Sequence, residues 1–301
     1  MLTLVWVLTL TACGASAATT SSTTTSSITT SSTTTSSATT SVPPTTTSTT
    51  APTTVPTTAP ATTTPTTVTL PPGVSPPPDW LGTRPLDPEG APFETPPELS
   101  DRRFISPDLL PPPPDDRFHS SIGSIPADVQ ERATWSDACP VALDDLAYVT
   151  VTFRGFDGLA HTGELIVADA VASDIVSVFA ALYEMDFPIE EMRVTSPADL
   201  DAEPTGDGNS TAAFVCRPVT GGANWSEHAY GLAIDVNPFH NPYVRGDLVL
   251  PELATDYVDR SRRLPGMITD EVVDAFAAIG WEWGGHWNSL KDYQHFSLRG
   301  R

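Results

Sequence analysis

The stretch that decides the fold runs Ser226-Glu-His228-Ala-Tyr-Gly231-Leu-Ala233-Ile-Asp235-Val-Asn237-Pro238. Imidazole and carboxylate groups are good ligands for Zn²⁺. The seven-residue spacing from His228 to Asp235 fits a loop residue followed by the far end of a short strand. Gly231 and Ala233 lie between His228 and Asp235 in the sequence, and these small residues leave room for an ion or a substrate. This stretch therefore predicts two ligands of a metal site.

A second stretch runs Trp281-Glu-Trp-Gly284-Gly285-His-Trp287 and continues to Asp292-Tyr-Gln-His295-Phe296. His295 is a third candidate ligand, and a catalytic zinc site has three protein ligands with one open position. Asp292 lies three residues before it, close enough to put a carboxylate beside the metal without ligating it. On chemistry alone, Glu282 is a rival for the role of general base.

Together the two stretches resemble the D-alanyl-D-alanine carboxypeptidase family of zinc peptidases (VanY-like), which shares its fold with the Hedgehog signalling domain. The family pattern is S-x-H-x-x-G-x-A-x-D, then a Trp/Gly-rich stretch, then D/E-x-x-H, and every position is present in order. The resemblance covers about residues 139–298. It implies that His228, Asp235 and His295 hold one Zn²⁺ ion, and that Asp292 is the general base for a zinc-bound water.

The resemblance also implies an arginine before the metal motif, which anchors the substrate carboxylate or polarises the scissile carbonyl. Arg217 lies in that region, and a guanidinium fork suits both tasks. A surface salt bridge is the alternative, and Arg193 is a weaker candidate anchor. Ser226 is predicted either to bind substrate or to hold the loop.

By the same resemblance, the substrates are peptidoglycan stem peptides. Cleavage of D-Ala-D-Ala at the peptide's C-terminus (carboxypeptidase) is favoured by the family, and cleavage of L-Ala-D-Glu within the peptide (endopeptidase) is the alternative. The competing class is a non-catalytic zinc-containing cell-wall binding module. Such a module has no need of Asp292 beside His295, so an enzyme is the preferred prediction.

The other histidines are predicted to lie outside the metal site. His161 follows a turn and is expected to be an exposed hairpin residue, and His240 a loop residue. His286 is expected to be part of the cleft wall at most, because a fourth protein ligand would close the catalytic position. His119 falls in a linker region. The tryptophans of the second stretch are expected mainly to pack in the core and at its rim.

The first 78 residues contain no charged side chain. Residues 1–18 are predicted to hold a signal peptide, whose apolar run is too short to span a bilayer, and the start of a stalk. The run ends in Leu10-Thr11-Ala12-Cys13, which resembles a bacterial lipobox with a lipidated Cys13. Residues 19–78 are rich in Thr, Ser and Pro, cannot bury enough apolar surface to fold, and predict a disordered stalk.

These features predict an exported lipoprotein, anchored in the membrane at the cell surface and facing the cell wall. If Cys13 carries lipid, Cys139 and Cys216 remain of the three cysteines. An exported protein would oxidise such a pair, so a Cys139–Cys216 disulfide is predicted, with two buried free thiols as the alternative. The net charge of −22, with Lys291 as the sole lysine, argues against a nucleic-acid partner.

A proline-rich, mostly extended linker is predicted over residues 79–121, followed by the peptidase domain over 122–301. The alternating β-branched residues of 148–153 and 163–167, with turn residues between them, predict a hairpin. Apolar spacing predicts helices over 171–185 and 269–279, the second stopped by Gly280.

Residues 196–211 are predicted to form a loop, and short strands are predicted at 192–194, 212–216, 231–236 and 295–298. Strands and helices mix without a βαβ rhythm, which predicts an α+β fold. The resemblance implies a Hedgehog/DD-peptidase-like domain with a small, mostly antiparallel sheet and flanking helices. The sequence gives no indication of the oligomeric state.

Overall fold

The computed structural model describes residues 70–219 and 222–300. The predicted signal peptide, the lipobox at Cys13 and nearly all of the predicted stalk lie outside the described residues. The described part has small, mostly antiparallel sheets and short helices, which confirms the α+β class. None of the helices within these residues has the length and the apolar character needed to cross a membrane.

The strands and helices follow one another in short segments. In chain order they are β1 (Ser120–Gly123), α1 (Ala127–Arg132), β2 (Leu146–Arg154), β3 (Ala160–Ala168), α2 (Ala172–Glu184), β4 (Glu191–Met192), α3 (Pro197–Asp201), β5 (Ser210–Thr211), β6 (Ala233–Asp235), β7 (Tyr243–Arg245), β8 (Leu248–Leu250), α4 (Asp270–Ala277), β9 (Glu282–Trp283), β10 (Lys291–Asp292) and β11 (His295–Ser297). Single turns of 3₁₀ helix lie before β1, at Pro88–Gly90 and Pro97–Leu99, and between the later elements, at Leu143–Asp145, Asp169–Val171, Glu227–Tyr230, Thr255–Val258 and Gly284–His286.

The largest sheet is antiparallel, with the order β1-β2-β3. Its β2–β3 hairpin confirms the prediction from the alternating residues, and α2 confirms the first predicted helix. Inward side chains of β2, such as Val149 and Val151, are buried in one core with Ile175 and Phe179 of α2. Full burial of such a side chain stabilises the fold by about 1.5–3 kcal/mol. The same core contains Ile234 of β6 and Phe296 of β11, so the sheet formed by these strands packs against it.

A second antiparallel sheet has the order β6-β11-β9 and joins the two motif stretches. Phe296 of β11 stacks on Phe276 of α4 with ring centroids 3.8 Å apart. The helix ends at Ala277, and Gly280 follows with φ +79°, a left-handed conformation that favours glycine. The second predicted helix and its stop at Gly280 are therefore confirmed. A third small sheet has the order β10-β7-β8, and its strand β10 immediately precedes β11 in the chain.

Two local predictions are wrong. Residues 212–216 form no strand: Ala212 makes an isolated bridge with Asp235, whereas the Phe214 and Val215 N–H groups donate to Ile166 O and His228 O. Because these bonds go to separate segments, no strand ladder develops. The predicted loop over 196–211 contains α3, which begins with a capping box, and the short strand β5.

The prediction of an extended linker over 79–121 is also wrong in part. The segment has little regular secondary structure, but Leu99 and Phe104 are buried in a second apolar cluster with Phe239 and Tyr257. The Tyr257 hydroxyl donates to Leu99 O at 3.1 Å. Sparse apolar residues without a period gave no core signal, because their partners in this cluster, such as Phe239 and Tyr257, lie far away in the sequence.

His161, predicted to be exposed, is only 3% exposed in β3. Its ring stacks on Phe153, with Nδ1 2.8 Å from Asp108 Oδ1 and Nε2 3.1 Å from Asp157 Oδ1. Carboxylates only accept hydrogen bonds, so both ring nitrogens donate when the ring is protonated. Burial alone lowers the pKa of His161, but the hydrogen bonds to Asp157 and Asp108 outweigh it and raise the pKa.

We expect His161 to stabilise the fold more at low pH than at high pH. Its pKa is raised on folding, so its stabilisation is fully present below the unfolded pKa of about 6.5 and is lost as pH rises through the folded value. In urea titrations, His161→Gln should lose about 1.5 kcal/mol more unfolding free energy at about pH 5.5 than at about pH 9. The exposed His286→Gln variant is the control. Equal losses of His161→Gln at both pH values would contradict the assignment.

Candidate metal centre

His228 is held by a single 3₁₀ turn, Glu227–Tyr230, that begins at Ser226. The Ser226 hydroxyl caps the turn by accepting a hydrogen bond from the His228 N–H. Gly231 ends the turn with φ +66°, and a Cβ at this position would lie 2.4 Å from the Ala168 backbone nitrogen. The turn therefore needs glycine both for its conformation and for its contact with β3.

Asp235 and His295 are brought together by strand pairing. In the antiparallel pair β6–β11 they lie directly opposite each other. Side chains of directly opposed residues project from the same face of a sheet. His295 Nδ1 and Asp235 Oδ1 are consequently 3.0 Å apart.

The three candidate ligand atoms form a nearly regular triangle. His228 Nε2 lies 3.2 Å from His295 Nδ1 and 3.3 Å from Asp235 Oδ1, and the third side is the 3.0 Å between Asp235 and His295. With zinc–ligand bonds of about 2.0–2.1 Å, the ligand atoms of a tetrahedral site lie about 3.3 Å apart. The two imidazoles and the carboxylate therefore fit one face of a zinc tetrahedron, with a fourth position open.

The environment of His228 fixes its tautomer. Its Nδ1 lies 2.6 Å from Ala213 O, and a backbone carbonyl can only accept. Nδ1 therefore carries a proton, and in the neutral ring, the form that binds metal, the lone pair of Nε2 faces Asp235 and His295. A metal-binding histidine is commonly oriented by such a second hydrogen bond.

The charges of this group depend on one another. Burial by itself raises the pKa of Asp235, but the positive charges and hydrogen bonds of His228 and His295 outweigh burial and lower it. Asp235 is thus held as a carboxylate, the form that binds metal.

Asp292 has the opposite electrostatic character. The pKa of Asp292 is raised to about 6, mainly by burial and secondly by the negative charge of Asp235. Its Oδ1 is buried and has no hydrogen-bond partner among the described residues. Gly284 packs closely against Asp292, since a Cβ at position 284 would lie only 2.5 Å from Asp292 O and 2.9 Å from Asp292 Cβ.

All four residues line one cavity of about 430 Å³. Hairpin β7–β8 supplies part of its wall through Tyr243, Leu248 and Leu250, and Trp287 lies against His295 with ring centroids 5.4 Å apart. The hairpin residues and Gln294 are parts of the site that the sequence did not single out. Nothing in their local pattern marks them, because they reach the cavity only through the pairing of β7 with β10.

A larger cavity of about 700 Å³ adjoins the first. Arg217, Asp235, Leu250 and Gln294 line both cavities. The candidate metal group therefore lies beside the wall that the two cavities share, with Asp235 exposed to both.

Arg217 is half-buried in the wall shared by the cavities, and its guanidinium donates to Pro218 O at 3.1 Å. Cys216 precedes it and forms a disulfide with Cys139, with Sγ atoms 1.99 Å apart and Cα atoms 5.8 Å apart. The rival anchor Arg193 lines only the larger cavity, where its guanidinium binds the carboxylates of Glu191 and Asp199. Of the two arginines, Arg217 is the one beside the candidate ligands.

Several other candidates lie away from the site. Glu282 is exposed and does not line either cavity, so it does not have the position of a base. His286 is exposed and packs edge-on against Trp283, outside the cleft wall. His240 is fully buried, with Nε2 2.8 Å from Arg102 O, and serves the packing of its loop. His119 bonds to Asp115 at 2.7 Å.

The comparisons with known proteins agree with this geometry. Residues 220–298 match the sequence model of the family described as D-alanyl-D-alanine carboxypeptidase. The matched residues contain both motif stretches, and the match supports the resemblance that the motifs predicted. It supports a peptidase of this family. No curated protein and no solved structure gives a significant match.

We expect His228→Ala to weaken zinc binding more than roughly tenfold, because loss of even an outer partner of a metal ligand typically costs 10–100-fold. The measurement is zinc stoichiometry and affinity after dialysis against a competing chelator. His286→Ala is the matched control and should bind zinc like the wild type. Unchanged zinc binding by His228→Ala would exclude this residue as a ligand.

Proposed function

We propose that the protein is a zinc peptidase that hydrolyses peptidoglycan stem peptides, with one ion held by His228, Asp235 and His295. The observation that carries the proposal is the triangle of ligand atoms, with sides of 3.0, 3.2 and 3.3 Å, in the same cavity as the carboxyl group of Asp292. The family match over residues 220–298 supports D-Ala-D-Ala carboxypeptidase activity as the leading assignment.

The chemistry divides between the ion and the chain. When bound, zinc supplies Lewis acidity and lowers the pKa of water at its open position. Asp292 accepts a proton at Oδ1, which has no other partner among the described residues, and returns it to the amine of the leaving group. Burial and the charge of Asp235 raise its pKa in the absence of the ion. The positive charge of bound zinc opposes this shift and favours the carboxylate, the form that accepts a proton.

Arg217 and Ser226 have supporting roles in this proposal. The guanidinium of Arg217 binds the substrate, either at its terminal carboxylate or at the scissile carbonyl. Ser226 caps the turn that carries His228, and this position favours the loop-holding role over direct substrate binding.

A specific observation favours a second candidate, an endopeptidase that cleaves L-Ala-D-Glu. The cleft continues from the 430 Å³ cavity into the 700 Å³ cavity, so a peptide could extend on both sides of the metal group. A non-catalytic binding module explains the ligands equally well, but it gives no reason for a carboxyl group beside them whose buried Oδ1 has no hydrogen-bond partner among the described residues.

The wider setting is part of the same proposal. We infer a Hedgehog/DD-peptidase-like domain, exported and anchored to the membrane through a lipid at Cys13, with the stalk as a spacer to the cell wall. The Cys139–Cys216 disulfide supports export, since such bonds persist in oxidising compartments.

We expect Asp292→Asn to retain zinc and to lose hydrolysis of muropeptides by about 10²–10⁴-fold in kcat, because the amide cannot take up the proton. Asp274→Asn, an exposed change on α4, is the control and should leave both properties unchanged. Normal cleavage by Asp292→Asn would disprove its role as the base. A wild-type protein that binds zinc but cleaves no stem peptide would favour the binding module.

The bond that is cleaved can be read from the products. We expect release of D-alanine from a peptide ending in D-Ala-D-Ala, measured by mass spectrometry. Amidation of the terminal carboxylate, or Arg217→Ala, should raise KM if the guanidinium binds that carboxylate. Fragments cut between L-Ala and D-Glu, with equal rates for the amidated peptide, would assign the endopeptidase instead.

A further inference from the structure

A segment that precedes the predicted peptidase domain is bound tightly to it. Residues 80–106 are here named the upstream arm. Their buried anchor is Arg102, which is 2% exposed. Arg102 Nε and one terminal nitrogen donate to the two carboxylate oxygens of Glu190 at 2.8 and 2.6 Å, and the other terminal nitrogen donates to Asp207 O at 2.6 Å. A bidentate ion pair in this buried position fixes the geometry of the arm.

The arm is also held along its length by backbone contacts. The Gly82 N–H donates to Asp207 Oδ2 at 2.8 Å, and the Leu86 N–H donates to Pro204 O at 2.9 Å. Farther along, the Thr95 hydroxyl donates to Leu253 O at 2.6 Å. These contacts fasten the arm to two loops of the domain, 202–209 and 251–255.

The attached arm forms one wall of the 700 Å³ cavity, through Leu81, Gly82 and Arg102. The same cavity is lined by Asp235, a candidate ligand, and by Gln294, the neighbour of another. A ligand that extends from the metal group into this cavity would therefore meet the arm. This wall lies outside residues 220–298, the part that matches the family model.

The charges lining the cavity indicate what it takes. Arg102 is neutralised by Glu190, and Arg193 by Glu191 and Asp199. Besides Asp235, three more carboxylates line the cavity. That of Asp207 accepts hydrogen bonds from the Gly82 N–H and the Thr205 hydroxyl, whereas those of Glu203 and Glu252 form no ion pair with any described residue. The lining of the cavity as a whole therefore carries excess negative charge, which attracts a cationic group.

We propose that the upstream arm is a substrate-binding wall of the cleft, and that the cavity it closes receives a side-chain ammonium group of the peptide substrate. The inference rests on the proposed peptidase function and specifies its substrate. The arm fixes the shape of the cavity, and Glu203 and Glu252 select the charge of the side chain.

The test compares two lysine-containing stem peptides that differ only at the side-chain amine, which is free in one and acetylated in the other. The wild type should hydrolyse the free amine with a kcat/KM about threefold to fivefold higher, the effect of a solvent-accessible ion pair. Glu252→Gln and Glu203→Gln should each reduce this preference by raising the KM for the free-amine peptide, with the zinc content of the wild type. Glu184→Gln, which removes an exposed charge at the end of α2, is the matched control and should keep the preference.

A second pair of variants tests the arm itself. Leu81→Trp fills the cavity from the arm and should raise KM severalfold while leaving zinc binding and thermal stability unchanged. Leu109→Trp places the same side chain at an exposed position outside the cavity and should leave KM as in the wild type. Hydrolysis of both peptides at equal rates, or an unchanged KM in Leu81→Trp, would overturn the inference and leave the peptidase function standing. Failure to cleave either peptide would instead reject the peptidase function, and this inference with it.

Discussion

The site depends on the antiparallel pairing of β6 with β11, which puts Asp235 opposite His295. A shift of this register by one residue would turn one of the two side chains to the other face of the sheet and separate the ligand atoms. His228 completes the group from a different element, a turn locked by Gly231 against β3. A strand register and one tight turn thus place the three candidate ligand atoms within 3.3 Å of one another.

The remainder of the fold keeps that pairing rigid. β11 lies between β6 and β9. Phe296 of β11, which follows the candidate ligand His295, stacks on Phe276 of α4. Because interiors are packed at crystal-like density, a buried aromatic pair of this kind leaves β11 little freedom to move. Gly284, in the turn that follows β9, packs against Asp292 of β10. This contact joins the strand that carries Asp292 to the sheet that carries Asp235 and His295.

The upstream arm changes the view of where the functional unit begins. A buried, bidentate Arg102–Glu190 pair joins a segment without regular structure to the domain. Removing one partner of such a pair leaves an uncompensated buried charge, which typically costs about 3–5 kcal/mol. The arm is consequently an integral part of the folded unit, and the cleft that adjoins the metal group includes its residues.

The sequence by itself determined the two motif stretches, the α+β class, the β2–β3 hairpin and both longer helices, because ligand chemistry and apolar periodicity are local properties. It also supplied the pairing of Cys139 with Cys216, since so few cysteines were available. Only the tertiary structure decided the burial of His161, the attachment of the arm through Arg102 and the share of the cavity that belongs to β7–β8. Each of these depends on partners far apart in the chain, such as Asp108 for His161, and no local pattern records which distant carboxylate or strand a residue will meet.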